Sequence, residues 1–515
     1  MVSKVAGGMA QILSVILKAV FISLTMHITG QTLDFMSGSV KRLVCRFGFF
    51  IQDGGAHKIT WHCVGDGGNR FCMLCKNLVT IDSDLADGEG AFRCTVCNLD
   101  ELDMATNEDI REACRRVHYY KDIDRTAAEF KTRQTQNGFT WHKYNMLMDP
   151  ELDELIRPAD QFMHDWMHCI FVQGVWNLCT NMLLNALEAG GIRDAYPKLF
   201  DYTQLWTWPA RLKMTRLHEL FWESKRTSNR TAGQFKCQAS MGLSLYSVLT
   251  VWLQTCVRAG ICVAEIAAYI ALCDIIDYLL CLQRGHGSAE QFLLIVQHFL
   301  ALHVAAYGEE NQTPKFHWLL HLPLELDAFK MLLSCFVHER KHRMLKAYCE
   351  DIRNTAAFEK SVLSEAVCHQ LMRIDNDSTF NYAIGLLNPH RAAPKLKQFC
   401  LEALDLQEHA GIEVMSSSYS KHNPLAYSLK HDVVLLKDGS EFFAGQVVAH
   451  VSIDGEFLSL INQYELVDLN REIGLATWKI QSENIMIPTD QIVDPVCWCK
   501  YSDDSIRTIL PREFL

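Results

Sequence analysis

His338-Glu339-Arg340-Lys341-His342 can be read in two ways, and each implies a different fold. As H-E-x-x-H on a helix, its histidines would bind zinc and its glutamate would activate water, as in a metallopeptidase. As Glu-x-x-His with a basic flank, it would supply the last carboxylate of a two-metal nuclease core. Zinc-peptidase helices keep the residues between the histidines uncharged, because that face packs inward; here they are Arg340 and Lys341. On a helix Glu339 shares a face with His342, Arg343 and Lys346 at i+3, i+4 and i+7. A carboxylate among cations suits a metal-binding acid beside nucleic-acid phosphates. The plainer possibility is a solvated charged face. A peptidase would also need a third ligand, for which Glu359 or Glu365 on the next helix would serve.

The chain has 515 residues, enough for two or three domains. With 49% apolar and 21% charged residues it has the composition of a folded protein rather than a disordered one. The formal charge of −11 is not that of a nucleic-acid-binding domain, so any DNA contact must rest on local basic patches. Twenty cysteines spread through a helix-rich chain fit reduced, intracellular thiols and a metal site better than disulfides. Two stretches are strongly apolar. Ile12 to Met26 is interrupted by Lys18 and lacks a small-residue cleavage site, and 261–282 carries Glu265, Asp274 and Asp277, which are costly in lipid. Both read as core helices, and no membrane partner is expected.

Val44 to Gln52 is an apolar, aromatic run that predicts a buried strand delivering Asp53 to a turn at Gly54-Gly55. Residues 103–133 read as helical, and Tyr144 to Met148 as a short strand ending at Asp149. Residues 161–188 read as one long helix closed by Gly190-Gly191. Further helices are expected over 238–257, 261–283, 288–306, 324–349 and 355–372. From 430 to 515 apolar and polar residues alternate between turn signals, which predicts a small separate β-domain, SH3-like in size, joined through 416–423.

Cys72-x-x-Cys75, then eighteen residues, then Cys94-x-x-Cys97 has the spacing of a closed, structural tetrahedral zinc site. Asp53 before two glycines could be no more than a turn former, but the apolar strand before it favours a functional carboxylate. Gly65-Asp66-Gly67-Gly68 is a weak phosphate loop, lacking the Gly-Lys-Ser/Thr ending. Asp165 and His168, three apart, would share a helix face and could share a metal or a hydrogen bond. His317 and His321, at i and i+4, are either zinc ligands or buried packing residues.

In this order the motifs resemble the eukaryotic cut-and-paste transposases of the CACTA (En/Spm, Plavaka-like) group. The motifs are an apolar strand ending in Asp, a cysteine knuckle, D-x-M-H, a helical region, K-F-H-W-L-L-H-L-P and E-R-K-H-R-x-x-K, spanning roughly residues 8–375. The resemblance implies an α/β fold: a ribonuclease-H-like catalytic core with a large all-helical insertion, a zinc knuckle and a small C-terminal β-barrel-like domain. The expected divisions are 1–160, with the knuckle at about 58–100; 161–330, from the D-x-x-H helix through the insertion; 331–415, the final catalytic helix; and 425–515, the β-domain. Asp53, Asp165 and Glu339 are the implied catalytic acids, with Asp149 or Asp160 as alternatives for the second. His168 and His342 stand beside the cofactor, and Cys72, Cys75, Cys94 and Cys97 hold the structural Zn²⁺.

Three carboxylates would hold two Mg²⁺ (or Mn²⁺) ions roughly 4 Å apart, which clamp the attacking and leaving oxygens of a phosphodiester. The implied partner is DNA, as transposon ends and target, contacted by Lys225, Arg226, Arg230, Lys236, Arg340, Arg343 and Lys346. Paired-end cutting implies a homo-oligomer, and the setting would be nuclear. Because the chain starts almost at the catalytic region, the amino-terminal DNA-binding module of such enzymes is expected to be absent, as in a truncated or domesticated copy. A domesticated protein would bind DNA or chromatin without cutting, with 430–515 as a reader module.

Overall fold

A computed structural model describes residues 8–80, 99–212, 216–352, 356–375, 384–406, 412–422, 427–439 and 441–511, apart from the side chains of Arg211, Val337, Glu339, Arg340 and Asp438. The fold is mixed α/β and divides into two compact units. The first comprises Met1–Leu183, Gly233–Ala239 and Ala264–Leu371; the second comprises Leu184–Ala232, Ser240–Val263 and Met372–Leu515. The helical region from 184 to 263 thus falls in the second unit apart from Gly233–Ala239.

In the first unit only the end of the aromatic run is a strand, β1 (Phe50–Gln52). Phe50 packs edge-on against Trp61, at 4.8 Å between ring centroids. Trp61 is fully buried on the helix that follows, α1 (Gly54–Trp61). β1 pairs in parallel with β2 (Phe162–His164), in the register Phe50↔Phe162, Ile51↔Met163, Gln52↔His164. This is the only parallel pairing among the described residues, whose other strands pair antiparallel. Besides it, the described residues of the unit include a hairpin of Gln31–Asp34 with Val40–Leu43.

The segment expected as one helix over 161–188 is instead β2, a short α2 (Trp166–Ile170) and α3 (Val175–Ala189). The break at Gly174 has a steric cause. A Cβ there would lie 2.4 Å from the Ile170 carbonyl, so only glycine lets the chain turn back this tightly. α4 (Val263–Gln283) is buried on most sides, through Ile266, Tyr269, Leu272, Ile275, Ile276 and Leu279, as expected of a core helix. α5 (Ala289–Tyr307) stacks Phe299 on Phe316 of α6 (Pro314–Phe329), with ring centroids 5.9 Å apart. α6 ends at Lys330 in a left-handed conformation (φ 58°), and α7 (Phe336–Asp351) begins after it. The helix expected over 324–349 is therefore two. The amino-terminal helix Gly8–Leu17 buries only Ala10, Ser14 and Leu17 and leaves Met9, Ile12, Val15 and Ile16 exposed, so it is not the core helix expected there.

The second unit contains the expected strand-rich region. Four antiparallel strands, β3 (Val433–Asp438), β4 (Glu441–Ile453), β5 (Glu456–Asn470) and β6 (Leu475–Pro488), form a meander. β7 (Ile492–Pro495) returns to pair with β3. Both faces of β3 are buried: Val433 and Leu435 pack with Tyr464, Trp478 and Ile506, and Val434 and Leu436 pack with Val447, Ile461 and Ile487. The sheet runs on through Ser505–Ile509 and Trp498–Lys500 to a two-residue strand, Trp206–Thr207, from the middle of the chain. Trp206 then packs with Val248 and Ile509.

Burial holds several histidines of the first unit neutral, among them His57 at about 3 and His303 at about 4, against an ordinary value of 6.5. As pH falls through 6.5 the unfolded chain takes up these protons and the native chain does not. The stability they contribute is therefore complete above pH 6.5 and is lost progressively towards pH 4. Each should steepen the acid limb by up to ~1.4 kcal/mol per pH unit. Urea titrations from pH 6 to 4.5 should show His303→Leu flattening the slope by about that amount; an unchanged slope would contradict the assignment.

Candidate functional site

Cys72 and Cys75 lie in a loop held by Ala105 N–H donating to Leu74 O (2.8 Å) and Lys76 N–H donating to Asp103 O (2.8 Å). His317 and His321 are one turn apart on α6. All four side chains are buried, and one ligand atom from each lies within 4.8 Å of the others. Cys72 Sγ is 3.4 Å from His321 Nε2, Cys75 Sγ is 3.5 Å from both imidazole Nε2 atoms, and those two nitrogens are 2.9 Å apart. Zn–S bonds near 2.3 Å and Zn–N bonds near 2.0–2.1 Å put sulfur and nitrogen roughly 3.5 Å apart at the corners of a tetrahedron. The donor set therefore fits a metal such as zinc, in a closed, structural site.

Without metal, Cys75 and His321 hold protons that an ion would displace. Burial alone would raise the Cys72 thiol, but the hydrogen bond with Cys75 and the nearby His321 and His317 hold it well below its ordinary value. The hydrogen bond to Cys72 and burial push Cys75 up. Burial lowers His317 to about 4; it opposes the charge on His321 too, but there the Cys72 thiolate prevails and the value is raised. Of the expected ligands, Cys72 and Cys75 are here, and Cys94 and Cys97 lie outside the described residues. The remaining corners are His317 and His321, which the sequence offered only as a pair on one helix face.

The second constellation is at the carboxyl ends of β1 and β2. With Gln52 opposite His164, the next residues, Asp53 and Asp165, leave neighbouring parallel strands at the same level. Each caps the helix that follows. Asp53 accepts the Ala56 N–H, and Asp165 Oδ1 accepts the Met167 N–H at 3.1 Å. Asp165 Oδ1 also accepts the N–H of Cys335 at 3.0 Å, which fastens the start of α7 to it. His168 donates from Nδ1 to Asp165 Oδ2, fixing the ring and leaving Nε2 for a metal. Asp165, His168 and Cys335 form the other cluster of metal-binding groups among the described residues. Cys335 was not singled out from the sequence. Glu339 lies one turn beyond it on α7, its side chain outside the described residues.

The alternative acids are engaged elsewhere. Asp149 follows a 3-10 turn, Met146–Met148, rather than a strand, and pairs with Lys18 at 2.7 Å. Asp160 bonds Asn107 and Arg157. Asp66 of the glycine-rich segment is paired with Lys58, so that turn presents an acid rather than a phosphate cradle. His338 and His342 are exposed and belong to neither cluster, and Glu359 and Glu365 are exposed as well. Among the basic residues, Arg226 and Arg230 are tied to Glu188, which neutralises much of their charge. Lys225, Lys236, Arg343 and Lys346 are exposed, and the Arg340 side chain lies outside the described residues. No protein-family model, curated protein or solved structure matches the chain.

The four-ligand set yields a direct test. Elemental analysis of the purified chain should find one zinc bound through this cluster, lost in Cys72→Ser and in His321→Asn. Because the set is complete without them, Cys94→Ser and Cys97→Ser should leave this zinc in place; its loss in either would show that the ligands are wrongly assigned.

Proposed function

We propose that the chain is a two-metal DNA strand-cleaving and strand-transferring enzyme of the cut-and-paste transposase type, built on a ribonuclease-H-like core. The observation that carries this reading is the placement of Asp53 and Asp165 side by side at the carboxyl ends of the parallel pair. Loops at that end of parallel strands are where such sheets bind ligands, and paired carboxylates there offer the hard oxygen donors that Mg²⁺ takes. The Asp165–Cys335 bond supports it further, because it ties the helix bearing Glu339 to the second acid.

Asp53, Asp165 and Glu339 would hold the ions. When bound, the pair supplies an activated water or 3′-hydroxyl and stabilises the departing oxygen. The chain's own groups act around that centre. The N–H groups of Met167 and Cys335 hold Asp165 in one rotamer, so little reorganisation is needed when a cation arrives. His168, its Nδ1–H held by Asp165, keeps Nε2 turned to the same centre. Arg343 and Lys346 follow Glu339 on α7 at i+4 and i+7 and would take the DNA backbone. Arg226 and Arg230, held by Glu188, are better placed to stabilise their own unit than to meet phosphate.

Supercoiled plasmid incubated with the protein and Mg²⁺ or Mn²⁺ should be nicked. Asp53→Ala, Asp165→Ala and Glu339→Ala should each lose more than the ~100-fold that an outer-shell change costs a metal site, while Asp149→Ala retains activity. Nicking that survives Asp53→Ala would sink the reading, and zinc-dependent peptide hydrolysis through His338 and His342 would replace it. In binding assays Lys346→Ala should lower the slope of log affinity against log salt by about one, with little change in sequence preference. Arg226→Ala should leave that slope near its original value.

A further inference from the structure

We propose that α6, the helix bearing His317 and His321, is a splint that sets the geometry of Asp165, with Lys315 and Glu325 as its positioning residues. This rests on the reading above only in taking Asp165 as the ligand of a divalent cation.

Glu325 lies one turn beyond His321, so His317, His321 and Glu325 form a stripe at i, i+4 and i+8. Its carboxylate is buried and holds one residue twice: Oε2 accepts the main-chain N–H of His164 at 2.9 Å, and His164 Nδ1 meets Oε1 at 2.5 Å. His164 is the last residue of β2 and immediately precedes Asp165. Its ring also stacks on His321, with centroids 5.2 Å apart and planes 17° from parallel, and packs near Trp318 of the same helix. A buried carboxylate is costly unless fully paired. This one uses both oxygens to fix the direction in which the chain leaves the strand.

Lys315 grips the other side. Its ammonium donates to the carbonyls of His168 (3.0 Å) and Val172 (2.6 Å) at the carboxyl-terminal end of α2, where helical carbonyls lack partners. Among the described residues Lys315 makes no ion pair, so these carbonyls are its direct partners. The turn from 164 to 172, which contains Asp165 and His168, is thus held at both ends by one helix. That helix is in turn joined to the Cys72–Cys75 loop by the four-ligand cluster. Zinc at the structural centre would therefore reach Asp165 through two defined side chains.

The test is Mn²⁺ binding to the full-length, zinc-loaded protein, followed by the loss of the free-Mn²⁺ electron paramagnetic resonance signal. Asp165→Asn should abolish the tightest site. Glu325→Gln keeps an acceptor for the His164 N–H and should weaken that site about 10-fold, and Lys315→Met should do the same, within the range for outer-shell partners. Both should retain one zinc per chain and the same circular dichroism. Glu325→Ala should weaken it further, and if that variant loses its fold, Glu325→Gln supplies the measurement. Unchanged Mn²⁺ affinity in zinc-loaded Glu325→Gln and Lys315→Met would overturn the proposal, as would a wild-type protein with no Asp165-dependent site. An Mn²⁺ site that responds to both residues in a protein that never nicks DNA supports the splint and overturns only the cleavage reading.

Discussion

The hydrogen bond from the Cys335 N–H to Asp165 Oδ1 joins segments 170 residues apart in sequence, and the arrangement of the first unit turns on it. A carboxylate buried to 3% exposure must have its oxygens satisfied. Asp165 meets that demand by capping its own helix, receiving His168 and receiving the start of α7. A side chain reading as a local helix cap is thereby also a long-range tie. Removing the carboxylate would do more than delete a proposed cation ligand. It would leave two main-chain donors unpaired in the interior, and a buried donor without a partner costs about 1–3 kcal/mol.

Much of the site was legible one residue at a time, and little of it as an assembly. Asp53 stands out because an apolar run ends there, and Asp165 because a histidine follows at i+3. Their adjacency depends on parallel pairing of two three-residue strands, which carry too few residues to show a period. His317 and His321 announce themselves at i and i+4, but nothing local connects them to a cysteine pair more than two hundred residues earlier. Spacing in sequence pointed to Cys94 and Cys97, which lie outside the described residues. Gly174 is a visible break signal within an apolar run, whereas the break at Lys330 lies among ordinary helix formers and carries no comparable local signal.

Charge follows the same division between local pattern and fold. With a formal net charge of −11, the chain has no general attraction for polyanions, and its cations must be aimed. Sequence alone grouped Arg226 and Arg230 with the other basic residues. In the fold both converge on Glu188, whose side chain is 6% exposed. Such a carboxylate needs its partners more than they need it. The cations on α7, Arg343 and Lys346, are by contrast exposed one and two turns past Glu339.

The two-residue strand Trp206–Thr207 bears on how the protein is made. Its partner, Trp498–Lys500, is synthesised roughly 290 residues later, and contacts of such separation close slowly. Until then Trp206 lacks its cover from Ile509, and the strand at Trp498 presents an open edge as soon as it emerges. Segments near residue 500 therefore seal a surface that the middle of the chain has left open. Loss of residues 498–509 would expose sheet edge and tryptophan together, turning a local deletion into aggregation that begins around Trp206.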